Sequence, residues 1–239
     1  MSVPSFCPIL DTAFCADPQE TAQNGRGQRP VSRFQGGRRR VRCAPLEAAG
    51  AILDGGARIL QFRHKGVSSR AIFETAQAIA DLCRAAGAIF IVNDRADVAM
   101  ILHAGVHLGQ TDLAPGDARR MLGDEAIVGF STHNEAQWRA AESEPVDYVA
   151  LGPIFGTTSK DRPDPAVGVE ELRRLRPLTS KPLVAIGGIT RGNALSVFDA
   201  GADSVAVIGD LLAGCTSAAE IRRRTEEWLQ LTSKPAPVS

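Results

Sequence analysis

Short apolar runs rich in β-branched residues alternate along the chain with longer stretches in which apolar residues recur every three or four positions. Seven runs stand out, at 58–63, 88–93, 105–109, 126–131, 147–152, 183–187 and 204–209. Such near-continuous runs suit parallel strands covered on both faces. Helical patterns separate most of them, which predicts repeated βα units. The clearest helix follows Ser69, a capping residue, and carries Ile72, Ala76, Ile79, Ala80 and Cys83 on one face before Gly87 ends it. Thr190 is expected to cap a second helix holding Ala194, Leu195, Val197 and Phe198, with Gly201 after it. An eighth strand would close a barrel. Its best candidate is 7–12, although Pro8 cannot donate to a ladder there. The expected fold is a single α/β domain, a (β/α)8 TIM barrel over 1–230, and the 239 residues suit one such barrel.

Two stretches fall outside the pattern. Seven arginines lie between Arg26 and Arg42, interspersed with Gly25, Gly27, Gly36 and Gly37 and few apolar residues. Such a stretch cannot bury enough surface to offset its ordering entropy, so 15–43 reads as a flexible Arg/Gly-rich insertion. With Phe34 as the sole aromatic residue there, it lacks the stacking platforms of a nucleic-acid site. The tail at 231–239, with two prolines, reads as disordered.

Composition narrows the functional classes. Lys and Arg together number 27, as do Asp and Glu, so formal net charge is zero. That disfavours nucleic acid or an acidic membrane surface as the main partner. No apolar run approaches the roughly 20 residues needed to span a bilayer, and the start Met-Ser-Val-Pro-Ser lacks the basic and apolar regions of a secretory signal. A cytoplasmic protein acting on small molecules is expected. The five cysteines are scattered without a C-x-x-C pair, which fits free thiols better than disulfides or zinc. Oligomeric state is not legible.

Polar residues cluster just after the apolar runs, at the strand ends where this fold carries its active sites. Gln61, Arg63 and Lys65 alternate with Phe62 and His64, so period two turns all three toward one centre. A planar fork and a point charge converging there suit a diphosphate. Asp94 and Asp112 follow adjacent strands, and two carboxylates near diphosphate ligands suggest Mg2+. Asp94 would equally serve as a helix cap, and Asp112 as a turn former. Gly187-Gly188, with Gly209 after the last strand, suits the phosphate site that barrels place there. The stretch Gly156-Thr157-Thr158-Ser159-Lys160 reads as a mobile polar loop able to grip an anion and exclude water. His107 is a candidate core histidine, and His133 a candidate acid or base.

Together these segments resemble the thiamine-phosphate synthase family. The matching stretches are 61–65, 93–95, 105–112, 129–133, 152–160 and 185–190, in family order and with barrel spacing. The resemblance implies a transferase that joins 4-amino-2-methyl-5-hydroxymethylpyrimidine diphosphate to a carboxythiazole phosphate, giving thiamine phosphate, diphosphate and CO2. It implies that Gln61, Phe62, Arg63, His64, Lys65, Asn93, Ser131 and Lys160 hold the pyrimidine diphosphate. Arg63, Lys65, Lys160 and Ser131 would act in catalysis. Asp94 and Asp112 would hold Mg2+, and Thr157, Thr158, Ser159, Gly188, Ile208 and Gly209 the thiazole phosphate. The chain departs from the family at Gly156, where proline is common, and across 15–43. Two alternatives are a sister thiazole tautomerase, which shares the barrel but lacks the metal carboxylates and diphosphate cations, and a non-catalytic phosphate-binding barrel.

Overall fold

The computed structural model describes residues 3–15, 43–157 and 164–233. The readings of 16–42, of Thr158, Ser159 and Lys160, and of 234–239 lie outside the described residues. Eight strands run parallel: β1 Phe6–Asp11, β2 Ile59–Arg63, β3 Ile89–Asn93, β4 Gly105–Leu108, β5 Val128–Thr132, β6 Tyr148–Leu151, β7 Leu183–Ile186 and β8 Ser204–Val207. They pair in chain order and β8 closes on β1, so the sheet is a barrel without edges. The helices are α1 Pro45–Asp54, α2 Arg70–Ala85, α3 Ala96–Leu102, α4 Pro115–Leu122, α5 Glu135–Glu142, α6 Val169–Leu175, α7 Ala194–Asp199, α8 Gly209–Leu212 and α9 Ala218–Thr232. The fold is the single (β/α)8 barrel that the alternation predicts.

Period two along each strand builds two cores. Cys7, Ile9, Ile59, Ile91, Tyr148, Ala150, Val184 and Ala206 fill the barrel interior. Leu60, Phe62, Val92, Val106, Leu108 and Val149 point outward into the layer shared with the helices. Removing both sets from water is the main stabilising term of the fold. The same alternation turns Gln61 and Arg63 inward and leaves Phe62 outside.

Four sequence expectations shift. The first strand ends at Asp11, and Thr12 begins a short 3-10 turn whose Ala13 N–H donates to the Asp11 carboxylate. Pro8 lies where the pairing of β1 passes from β8 to β2, so its place in the barrel is at a handover rather than mid-ladder. Thr190 does not cap α7 with its side chain. The helix starts after Asn193, whose Oδ1 accepts from Thr190 N at 2.7 Å and whose Nδ2 donates to Gly188 O at 3.1 Å, which makes the approach a tight turn. Helix α9 extends to Thr232, into the stretch expected as tail, because Trp228 is fully buried and stacks on Phe6 with ring centroids 5.3 Å apart. Ser69 and Gly87 bound α2 as expected, the Ser69 hydroxyl accepting from Ile72 N and Gly87 adopting a φ of 63°.

All five cysteines are buried, and none forms a disulfide. Burial pushes the Cys7 and Cys83 thiols up to about 12, which removes the thiolate and leaves them inert near neutral pH. Among the described residues, no helix is long and apolar enough to cross a membrane.

Candidate active site

The C-terminal ends of the strands open into a cavity of about 590 Å³. Gln61, Arg63 and Lys65 enter it from β2 and the residues after it, Asn93 and Asp94 from the end of β3, and Ser131 and His133 from the end of β5. The loop after β4 supplies Gln110, Thr111 and Asp112. Thr157, Gly188, Ile208 and Gly209 line it as well. Phe62 and His64 do not line it. Phe62 packs in the outer core, and the His64 ring bonds to Thr12 Oγ1 at 2.8 Å.

One end of the cavity carries the cations and carboxylates. Lys65 Nζ lies 2.5 Å from Asp94 Oδ2. The Arg63 guanidinium pairs with Asp11, whose carboxylate is fully buried. Asp11 is a residue that the sequence reading missed. It ends β1 in register with Arg63, a pairing that only the fold brings about. Asp94 does not cap α3: the cap position is Arg95, without a side-chain bond, and Asp94 itself takes a left-handed φ of 65°. Asp112 does form a turn, accepting Gly109 N at 2.7 Å, and also sits against Asp94. Burial raises the Asp94 carboxyl above the usual range. The Lys65 ammonium opposes this, and the neighbouring Asp112 carboxyl adds to it. Two abutting carboxylates at the edge of a cavity are a hard oxygen donor set that suits Mg2+, which takes one or two carboxylates and completes its shell with phosphate oxygens and water. Asn93 adds an unmet demand. The residue is 9% exposed, and its Nδ2 has no hydrogen-bond partner among the described residues. A buried donor left open in this way costs stability unless a ligand satisfies it.

The other end is built from backbone. Gly187 and Gly188 adopt φ values of 96° and 63°, and a Cβ on Gly188 would come within 2.5 Å of Gly156 O. Only glycine lets the chain turn this tightly against the 155–156 segment. Beside it, Asp210 is drawn aside by Arg191 Nε at 2.8 Å and Trp228 Nε1 at 3.0 Å, which joins the loops after β7 and β8. At the rim, His133 Nδ1 lies 2.5 Å from Gly152 O, so that nitrogen carries the proton. Its Nε2 lies 3.7 Å from Asp164 Oδ2.

Residues 38–211 match the thiamine monophosphate synthase family. A thiamine-phosphate synthase of Koribacter versatilis is 51% identical over 183 residues, covering 75% of this chain and 82% of that protein. One from Moorella thermoacetica is 43% identical over 182 residues, covering 76% and 87% respectively. Among solved structures, the thiamine phosphate pyrophosphorylase of Pyrococcus furiosus superposes with a TM-score of 0.73 at 28% identity over 95% of both chains. The chain belongs to the thiamine monophosphate synthase family.

Proposed function

We propose that this barrel condenses 4-amino-2-methyl-5-hydroxymethylpyrimidine diphosphate with carboxythiazole phosphate to give thiamine phosphate, diphosphate and CO2. The observation that carries the reading is the meeting of Arg63, Lys65, Asp94 and Asp112 at one end of a cavity whose opposite end is the Gly187–Gly188 turn. Two anionic substrates then have two separate seats. Gln61, Asn93 and Ser131 lie among the diphosphate ligands and face the pyrimidine ring. Thr157, Gly188, Ile208 and Gly209 hold the thiazole phosphate, joined by Thr158 and Ser159.

The chemical demand is charge on a departing diphosphate. Arg63 and Lys65 stabilise the developing negative charge on its oxygens, and Lys160 adds a third cation. Asp94 and Asp112 would hold Mg2+, which would supply further positive charge to the departing diphosphate. The bond to diphosphate breaks before the bond to the thiazole nitrogen forms, so the pyrimidine methylene carries transient positive charge. No protein nucleophile is needed, and the buried Cys7 and Cys83 thiols fit that requirement. A tautomerase would have no use for the paired carboxylates or for the Arg63 and Lys65 cations.

Inorganic diphosphate, the released product, tests the first seat without chemistry. Calorimetric titration is expected to show binding that requires Mg2+ and that Lys65→Ala weakens about tenfold, as for one charge-assisted bond. Equal binding with and without Mg2+ would contradict the assignment.

A further inference from the structure

Asp210 places a carboxylate where one is least welcome. It follows Ile208 and Gly209 and lines the cavity at the end proposed for the thiazole phosphate. A carboxylate there repels a bound phosphate by simple Coulomb interaction. Its partners show how it is accommodated. Oδ2 accepts from Arg191 Nε at 2.8 Å and from Trp228 Nε1 at 3.0 Å, and the side chain is 16% exposed. Arg191 and Trp228 are not among the residues that line the cavity, so both donors draw the carboxylate from behind the seat.

Each donor is itself held. The Trp228 indole is fully buried and stacks on Phe6 of β1 with the rings 3° from parallel. Arg191 Nη1 pairs with Glu227, and Glu227 pairs in turn with Arg223. Negative and positive side chains therefore alternate along the row Asp210, Arg191, Glu227, Arg223, and their charges cancel. The backbone is fastened as well. Arg224 Nη1 donates to Asp210 O at 3.2 Å and to Ala213 O at 3.0 Å, which ties α8 to α9. Arg191 stands in the same turn as Gly188, whose carbonyl accepts from Asn193 Nδ2 at 3.1 Å.

We infer that Arg191 and Trp228 are positioning residues for the phosphate seat: they take up Asp210 Oδ2 and so keep its negative charge off the bound phosphate. Arg191 supplies the compensating charge, and Trp228 supplies a rigid donor. Both act through Asp210 and neither touches the substrate. Without Arg191 the carboxylate loses its counter-charge and is free to turn toward the cavity. The inference rests on the proposed thiazole phosphate seat and adds to it the groups that keep its potential favourable for an anion.

The test is a double-substitution cycle, with KM for each substrate measured in the parent, Arg191→Met, Asp210→Asn and the two combined. Methionine keeps much of the apolar stem and removes the charge. Arg191→Met is expected to raise KM for carboxythiazole phosphate about tenfold, as for an unmasked like charge. KM for the pyrimidine diphosphate should stay within about twofold, the margin of additivity for distant sites. Adding Asp210→Asn should return the thiazole KM to within about twofold of the parent, although Asp210→Asn alone changes it by no more than that. A direct contact of Arg191 with phosphate, or a merely structural role, would leave the loss uncorrected by Asp210→Asn. That result would overturn the inference, as would an Arg191→Met protein with an unchanged thiazole KM. Should Arg191→Met fail to fold, Trp228→Phe removes the other donor and keeps a ring against Phe6. Its expected loss is about fivefold, as for one hydrogen bond to a charged group, and the same rescue is read there. Calorimetric binding of the thiazole phosphate and of its dephosphorylated alcohol to the parent checks the seat separately. Equal affinities would overturn the seat and this inference with it. A clear preference for the phosphate without rescue in the folded variants would overturn only the role of Arg191 and Trp228.

Discussion

Asp94 combines three properties: a left-handed backbone, a carboxyl raised by burial and by a second carboxyl, and contact with a half-exposed lysine. None of these favours an aspartate for stability. The charged form is penalised in the folded state, and a pair with a lysine side chain that is 54% exposed returns little. Asparagine tolerates the left-handed region as well as aspartate does and carries no charge. Asp94→Asn is therefore expected to leave the melting temperature unchanged or higher while turnover falls by roughly 10²–10³, the usual loss for one electrostatic stabiliser of a transition state. Thermal melts alongside a Mg2+ titration of turnover check this. A collapsed melt would assign Asp94 a structural role, and near-normal turnover would remove it from the site. The polar residues at the strand ends were legible in the sequence because each follows an apolar run directly. Asp11 and Tyr148 were not. Asp11 ends the strand that Pro8 makes least recognisable, and Tyr148 sits inside an apolar run where an inward-facing hydroxyl leaves no trace in the pattern.

At the level of elements, the register between β5 and β6 decides how the floor is packed. Gly129 stands opposite Tyr148, small against large, and the phenol fills the space that a side chain at 129 would need. Neither strand can move, since each is bonded on both sides within the closed sheet. Gly129→Ala is accordingly expected to cost about 3 kcal/mol, the upper end for an overpacked core. Urea denaturation followed by circular dichroism measures it. A loss below about 1 kcal/mol would show that the floor relaxes freely and that its geometry is not specified by this pair. The strands themselves were legible as β-branched runs, within two residues at each boundary for the seven runs from 58 onward. The start of α7 was not, because Thr190 and Asn193 are both residues that favour caps, and only the turn geometry shows which function each performs.

For the whole molecule, the proposed function has the barrel gather two opposed surroundings for anions into one mouth. One is made of cationic side chains and carboxylates, and the other of backbone freed by glycine. They should fail independently. Gly188→Ala places a Cβ at a left-handed position within 2.5 Å of Gly156 O, so the 155–156 segment must shift. It is expected to weaken thiazole phosphate at least tenfold and the pyrimidine diphosphate less than twofold, since the turn lies at the far end of the cavity from Lys65 and Asp94. Titration calorimetry with each substrate alone decides it, and equal losses would merge the two seats into one.

The most direct test of the account is turnover by omission. Purified protein is incubated with both substrates and Mg2+, and then with each of the three left out in turn, while thiamine phosphate, diphosphate and CO2 are quantified. The account predicts the three products in equal amounts in the complete mixture and none in any omission. Thiamine phosphate formed without Mg2+, or a complete mixture in which the thiazole is isomerised but never joined to the pyrimidine, would contradict it.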